Sequence, residues 1–171
     1  MITDFEKNEL LKVINEYDIA LNLLDDYDHQ CLKTPLGSNE YYKITYEECR
    51  YIIDSMKFDS TIFGVEKDGS FKSSINAIYQ TAFGSDVYKT VQEKAANLLY
   101  FIVKNHSFVD GNKRIAASIF LYFLYKNNLL YNNGNKRISD VALVAITILI
   151  AESKPEEKDT MIKLLINFLA I

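Results

Sequence analysis

Residues 115–125 form an apolar run, Ile-Ala-Ala-Ser-Ile-Phe-Leu-Tyr-Phe-Leu-Tyr, that would be hydrophobic on nearly every side of an α-helix. A helix of that kind must be covered by neighbouring elements, so we expect it to be the central, buried helix of the fold. Capping residues and apolar repeats at spacings of three and four predict further helices on both sides of it. The sequence therefore predicts an all-α protein, a compact bundle of about seven helices.

The expected helix starts follow from local capping signals. A Ser or Thr followed three residues later by Glu predicts the start of a helix, and this pattern recurs along the chain. We expect these helices: Thr3 with Glu6, running to about Asp28; Thr45 with Glu48, running to Met56; a short one through Phe71, Ile75 and Ile78; Thr90 with Glu93, ending at Asn105; one beginning at Ser139; and one beginning at Ser153 with Glu156. Residues 29–42 should form a loop. The helix that begins at Thr90 should carry an apolar stripe, and the helix that begins at Ser139 should be buried.

Bulk properties exclude several classes of protein. At 171 residues the chain is long enough to bury one core, and we expect a single domain over 1–171. Its net charge of −4 argues against a general nucleic-acid binder, which needs a basic surface. Cys31 and Cys49 have no metal-ligand spacing, so no disulfide framework is expected. The absence of a secretory leader and of a long apolar run predicts a cytoplasmic protein that does not enter a membrane.

A group of chemically active residues directly precedes the apolar run. Residues 106–114 read His-Ser-Phe-Val-Asp-Gly-Asn-Lys-Arg. Gly111 would let successive N–H groups gather into an anion-binding nest at a helix start, and Lys113 and Arg114 can take phosphate charge. Asp110 can hold Mg²⁺, and His106 is a natural general base near neutral pH. These residues indicate a transferase that handles phosphate groups.

The same residues could also have purely structural roles. Asp110 could cap the following helix, and the two cations could be solvated surface charges. However, cations at a helix start oppose the helix dipole unless an anion is present, which favours a binding role. The second Gly-Asn-Lys-Arg tetrapeptide, residues 134–137, lacks the upstream His, Phe and Asp, so we expect it to be a surface turn. His29 is expected to face solvent.

Residues 106–114 resemble the signature of the Fic/Doc family, His-x-Phe-x-Asp/Glu-Gly-Asn-Gly/Lys-Arg. The resemblance covers about residues 60–130, with N-terminal helices over about 1–58 and C-terminal helices over about 139–171. It implies the Fic fold, ATP as the donor substrate, Mg²⁺, and a protein target with a Ser, Thr or Tyr hydroxyl. Six positions match it in order, and Lys113 is the Doc form of a seventh. The resemblance implies these roles: His106 as general base, Phe108 as a structural anchor, Asp110 for the metal, and Gly111, Asn112, Lys113 and Arg114 for the nucleotide phosphates.

The family also implies a β-hairpin flap that aligns the target by strand addition. The candidate is residues 78–88, with Tyr79, Phe83 and Gly84 as target-docking residues and a turn at Gly84-Ser85. A continued helix with Tyr79 and Phe83 in the core is the alternative reading of this segment.

Three departures from the family pattern bear on the reaction. Ser107 replaces the usual proline, and Ala117 stands where AMP-transferring members carry a second arginine. The inhibitory pattern Ser/Thr-x-x-x-Glu-Gly/Asn is incomplete at residues 153–158, where Lys158 follows Glu157. We therefore expect a Doc-like phosphoryl transferase that is controlled by an external antitoxin. The alternatives are AMP transfer by the same site, a His-Asp type metal-dependent phosphohydrolase, and a non-catalytic interaction module.

Overall fold

In the computed structural model, which describes residues 1–170, helices carry nearly all of the regular structure. The two short strand pairs are both hairpins, β1 with β2 and β3 with β4, each antiparallel. The all-α prediction is therefore confirmed, with eight α-helices in the described residues rather than about seven. The elements in order are α1 Asp4–Asn15, α2 Asp18–Asp28, α3 Tyr46–Ser55, α4 Ser70–Ala77, β1 Thr81–Ala82, β2 Ser85–Asp86, α5 Val91–Asn105, α6 Asn112–Lys126, β3 Tyr131–Asn132, β4 Asn135–Lys136, α7 Asp140–Glu152, a 3₁₀ turn Pro155–Glu157 and α8 Lys158–Ala170.

The chain comprises two compact units, and the first spans Met1–Thr34. It contains α1 and α2, neither of which has a buried residue. The predicted capping box at Thr3 is present, with Thr3 and Glu6 exchanging hydrogen bonds. The prediction of one helix to about Asp28 was wrong, because Tyr17 leaves the helical conformation with φ −103° and ψ 20°. The Asp18 carboxylate then accepts the Ile19 N–H at 2.9 Å, at the start of a separate helix.

The second unit begins at Pro35 and contains the hydrophobic core. Its central helix is α5, which packs against α4, α6, α7 and α8. The expectation that the apolar helix after residue 114 is the central one was therefore wrong. One side of α6 is buried, but Tyr125 on its other side is 61% exposed. Apolar sequence on every face of α6 did not require burial on every face, since aromatic side chains with a hydroxyl tolerate water.

The cap of α5 is the one the sequence predicts. Thr90 accepts the N–H of Glu93 at 3.1 Å, and Val91, Ala95 and Leu98 lie fully inside the core. Because α5 runs without interruption to Asn105, it fixes the place where residue 106 emerges.

The C-terminal helices differ from prediction in two respects. The helix that begins at Ser139 is present as α7, but it buries only Ile146, Thr147 and Ile150 and leaves an apolar face exposed. The last helix does not begin at a Ser153 cap. Ser153 instead donates to the Ile150 carbonyl at 2.7 Å, closing α7, while the Glu157 carboxylate accepts the Lys154 N–H at 2.7 Å. Pro155 then starts a 3₁₀ turn that leads into α8.

Candidate functional site

The loop between α5 and α6, residues 106–111, is called here the signature loop. It is bracketed by two residues in the left-handed conformation, His106 with φ 50° and Gly111 with φ 95°. His106 ends α5, and Gly111 precedes the first turn of α6. A histidine in this conformation is strained, so the surrounding structure must hold it there.

Position 111 requires glycine because there is no room for a side chain. A Cβ atom built on it would lie 2.3 Å from Cε2 and 2.5 Å from Cδ2 of Phe63. The backbone at Gly111 therefore contacts the Phe63 ring directly, in a conformation that L-residues rarely adopt. The N–H groups of the first turn of α6 have no acceptor within the helix, and the residues that carry them line an open cavity.

Phe108 and Asn112 hold the loop in shape. The Phe108 ring is fully buried and makes an edge contact with Phe71, with ring centroids 4.8 Å apart. The Asn112 side chain accepts the Phe108 N–H at 2.9 Å and donates to the Phe108 carbonyl at 2.8 Å. The oxygen and one N–H of the Asn112 amide are thus used by the loop, which fixes the orientation of this side chain.

Ser107, which replaces the usual proline, fastens the loop to α4. Its side chain is buried, and its hydroxyl lies 2.5 Å from the Ser70 hydroxyl. One residue earlier than the loop, Asn105 donates to the Ser74 hydroxyl at 2.6 Å. The stiffness that a proline would supply is thus replaced by hydrogen bonds.

A short segment, Phe63–Lys67, forms isolated backbone bridges with the signature loop. The Lys67 N–H donates to the Ser107 carbonyl at 2.8 Å, and the Val109 N–H donates to the Val65 carbonyl at 2.8 Å. This pairing segment is in turn held by α3, because Arg50 donates to the Gly64 carbonyl at 2.9 Å. Nothing in the sequence predicted that this segment is the backbone neighbour of the signature loop.

His106 is exposed and contacts two side chains through its ring. Its Nδ1 lies 2.9 Å from Nζ of Lys67, and its Nε2 lies 3.3 Å from Nδ2 of Asn112. The lysine contact could not be predicted from the sequence, because the two residues are 39 positions apart and neither spacing nor capping links them.

Asp110 and Arg114 bind each other, one helical turn apart. The guanidinium Nη2 of Arg114 lies 3.2 Å from each carboxylate oxygen of Asp110. The same guanidinium stacks over Phe58 and Phe63, 4.4 Å and 4.9 Å from their ring centroids. A cation that binds Asp110, or an anion that binds Arg114, would therefore compete with this ion pair.

An open cavity of about 290 Å³ lies in front of these groups, lined by His106 and by residues 109–114. Lys113 and Arg114 also border a second, apolar cavity of about 220 Å³, between Ala117 of α6 and the exposed face of α7. The absent second arginine is thus replaced by apolar surface. No group of three or more His, Cys, Asp or Glu residues within residues 1–170 could hold a metal ion.

The hairpin predicted at residues 78–88 is present, so its continuation as a helix was the wrong alternative. Its turn lies at Phe83-Gly84, with φ 52° and 80°, one residue earlier than expected. Phe83 is fully exposed at the tip. Tyr79 lies before the strands, where its hydroxyl accepts the Ile44 N–H at 2.9 Å and burial raises its pKa.

The hairpin is fastened to the opposite end of α5 from the signature loop. Lys94, fully buried on α5, donates to the Asp86 carboxylate at 3.0 Å and lies 4.1 Å above the Tyr41 ring. The hydrogen bond from Lys94 keeps the pKa of Asp86 below its ordinary value. His106 comes twelve positions after Lys94, which is about 18 Å along the helix axis. The pairing segment Phe63–Lys67, rather than the hairpin, therefore lies beside His106.

The second Gly-Asn-Lys-Arg tetrapeptide is confirmed as a surface turn. Its Gly134 forms the tip of the β3–β4 hairpin with φ 81°. Arg137 donates to the carbonyls of Leu129 and Leu169, at 3.0 Å and 2.9 Å, and so joins this hairpin to α8. His29 is exposed as expected. None of the helices in residues 1–170 has the length and hydrophobicity needed to span a bilayer.

Comparison with known proteins places these features in a family. The family model described as Fic/DOC family matches residues 38–124, half of the chain. Toxin Doc of Mycolicibacterium smegmatis is 34% identical over 80 residues, which cover 44% of this chain and 62% of that relative. The match thus spans less than two thirds of the relative's length. No solved structure shows significant similarity. The family model covers α5, the signature loop and most of α6. The chain belongs to the Fic/DOC family.

Proposed function

We propose that this protein transfers the γ-phosphoryl group of ATP to a hydroxyl side chain of a protein target, with His106 as general base. The observation that carries the proposal is the cavity in which His106 faces the first turn of α6 with Lys113 and Arg114. A helix start and two cations bind phosphate, and phosphoryl transfer depends mostly on positioning and charge stabilisation.

The reaction needs few groups. Nε2 of His106 accepts the proton of the target hydroxyl, whose oxygen bonds to the γ-phosphorus. The bond between that phosphorus and the β,γ-bridging oxygen breaks, and ADP leaves. Lys113, Arg114 and the backbone N–H groups of α6 stabilise the charge that accumulates on the phosphate oxygens.

The residues fit a Mg²⁺ ion only if the nucleotide supplies most of its ligands. Asp110 is a partly exposed carboxylate at the rim of the cavity, and no second acidic residue joins it there. Mg²⁺ commonly takes one or two carboxylates together with phosphate oxygens and water. When bound, the ion would neutralise phosphate charge. Asp110 would hold it after Arg114 turns from the carboxylate towards the phosphates.

Lys113 supports phosphoryl over AMP transfer. The family resemblance implies that a glycine here leaves room for the α-phosphate, whereas a lysine fills that space and favours a nucleotide bound in the opposite direction. The apolar surface at Ala117 also lacks the second arginine of AMP-transferring members.

A labelling experiment tests the assignment. The protein is incubated with a cell lysate and either [γ-³²P]ATP or [α-³²P]ATP. We expect label on a target only from the γ-labelled nucleotide. Label from the α-labelled nucleotide would establish AMP transfer instead, and label from neither would leave the non-catalytic module.

The name of the matched relative, Toxin Doc, supports a role as a toxin, and we propose that its control comes from an antitoxin. Val144, Ile148 and Leu149 leave an exposed apolar face on α7, and the first two of these line the cavity next to Lys113. We propose that an amphipathic segment of the antitoxin covers this face and orders as it docks. Glu157, the internal alternative, is engaged at the start of the 3₁₀ turn, where it accepts the Lys154 N–H.

The target would be aligned by an extended strand. The hairpin with exposed Phe83 and Gly84 remains a proposed outer contact for it, with Tyr79 supporting the base of the hairpin from the core. Because the pairing segment Phe63–Lys67 runs beside His106, we place the modified hydroxyl next to this segment.

A further inference from the structure

Both ring nitrogens of His106 face hydrogen-bond donors. Nζ of Lys67 is 2.9 Å from Nδ1, and a lysine ammonium can only donate. Nδ2 of Asn112 is 3.3 Å from Nε2, and its amide orientation is fixed by the two hydrogen bonds with Phe108. A neutral imidazole has one nitrogen that accepts and one that donates. The two contacts cannot both be hydrogen bonds.

The lysine contact is the stronger of the two. It is shorter by 0.4 Å, from the two distances of 2.9 Å and 3.3 Å, and it is charge-assisted. The lone pair of the ring therefore lies on Nδ1 and the proton on Nε2. Nε2 is the nitrogen that faces Asn112, a residue that lines the cavity, so in this tautomer it presents a proton where a base needs a lone pair.

The position of Lys67 is fixed by the fold. Its backbone N–H donates to the carbonyl of Ser107, the residue next to His106. The preceding residue, Glu66, accepts the Tyr46 hydroxyl at 2.6 Å, which joins the pairing segment to α3. Backbone and neighbours thus deliver the lysine to the histidine ring.

We propose that Lys67 is a positioning residue that holds His106 in the idle tautomer, with Nε2 protonated, until a polyphosphate in the cavity draws its ammonium away. Lys67 does not itself line the cavity, but it contacts His106, which lines the cavity together with Lys113 and Arg114, so a polyphosphate bound there offers the flexible ammonium stronger anionic partners. The ring then exchanges its proton from Nε2 to Nδ1 through solvent, with no net change in charge, and Nε2 can accept the hydroxyl proton. The proposal rests on the proposed function only in assigning the base to Nε2.

The tautomer can be read directly, because the chain has only two histidines. With ¹⁵N-labelled histidine, ring nitrogens that carry a proton resonate far from those that do not. The spectrum is recorded at about pH 8.5, where an ordinary imidazole is neutral and an ordinary lysine is charged. His29 is the internal reference, because its Nδ1 lies 2.8 Å from the Asp25 carbonyl and must donate to it. We expect the opposite tautomer at His106, in excess of about tenfold.

Variants isolate the lysine. Lys67→Glu places an acceptor at Nδ1 and should move the His106 proton from Nε2 to Nδ1, whereas Lys67→Arg, which only donates, should leave it on Nε2. Lys72→Glu is the matched control, because it makes the same charge change at an exposed lysine on α4 that packs over the Tyr46 ring. It should leave the spectrum unchanged.

A second arm adds ligand. Inorganic tripolyphosphate or Mg²⁺ with ATP should move the His106 proton to Nδ1 in the wild-type protein. A proton on Nδ1 in the free wild-type protein, or no change in Lys67→Glu, would overturn the proposal. Label transfer with the tautomer unchanged by ATP would also overturn it and leave the proposed function standing. A tautomer that responds to Lys67→Glu and to tripolyphosphate, without any label transfer, would support the proposal and refute the function.

Discussion

Replacing Gly111 by alanine tests how the signature loop is built. The new Cβ would have to occupy a left-handed conformation, which costs an L-residue about 1–2 kcal/mol. It would also meet the Phe63 ring at 2.3 Å, and such overpacking typically costs about 1–3 kcal/mol. We therefore expect Gly111→Ala to lower the free energy of unfolding by about 2–5 kcal/mol.

The chain supplies a matched control for this substitution. Gly134 also precedes Asn-Lys-Arg and has φ 81°, but a Cβ there would have no described atom within 4 Å. Gly134→Ala should therefore cost only the conformational strain, about 1–2 kcal/mol. Urea unfolding of the two variants gives the difference, and each kcal/mol should also lower the thermal midpoint by about 2–4 °C.

The same pair of variants separates stability from function. Because Phe63 supports both the loop backbone and the Arg114 guanidinium, its displacement in Gly111→Ala should abolish ATP-dependent labelling under conditions where the protein is folded. Gly134→Ala should label its target at the wild-type rate. Equal destabilisation in the two variants, or full labelling by folded Gly111→Ala, would refute the claim that the Phe63 ring is the reason why position 111 requires glycine.

Substitutions elsewhere test the other assignments. His106→Ala should lower label transfer about a hundredfold or more, and His106→Asn, which tolerates the left-handed conformation better, should do the same without loss of thermal stability; transfer at the wild-type rate in either folded variant would exclude His106 as base. Lys113→Gly should weaken γ-phosphoryl transfer, while Lys136→Gly, the equivalent change in the second tetrapeptide, should not; equal effects would remove the phosphate role of Lys113. Glu157→Gly should raise neither the transfer rate nor the toxicity on expression, and a severalfold rise would show that the inhibitory element lies within the chain.

The structure argues against testing self-inhibition by cutting the chain before Ser153. Such a cut removes α8, whose Met161, Leu165 and Leu169 are buried in the core. Loss of folding would then mask any gain in activity, so the point substitution at Glu157 is the informative one.

Features that depend on near neighbours in the chain could be predicted from the sequence. The start of α5 at Thr90 depends on an interaction over three residues, and the hairpin turn depends on Gly84 and its flanking residues. The pairing of Asp110 with Arg114 could also have been predicted, because a carboxylate just before a helix start lies close to a side chain four residues later, in the first turn.

Features that depend on chain segments far apart in sequence could not be predicted. The contact of Lys67 with His106 requires a segment about forty positions earlier in the chain to pair with the signature loop, and a single sequence carries no periodic signal for such a pairing. The burial of α5 rather than α6 at the centre likewise depends on how many other helices pack on each, which apolar content alone does not determine.

The mass of the modification on the target tests the central claim most directly. Lysate proteins treated with ATP and the wild-type protein, or with the folded His106→Asn variant, are digested and compared by mass spectrometry. We expect a hydroxyl side chain that carries one phosphoryl group after wild-type treatment and none after treatment with the variant. An AMP group on that side chain, or the same phosphorylation with the variant, would contradict the account.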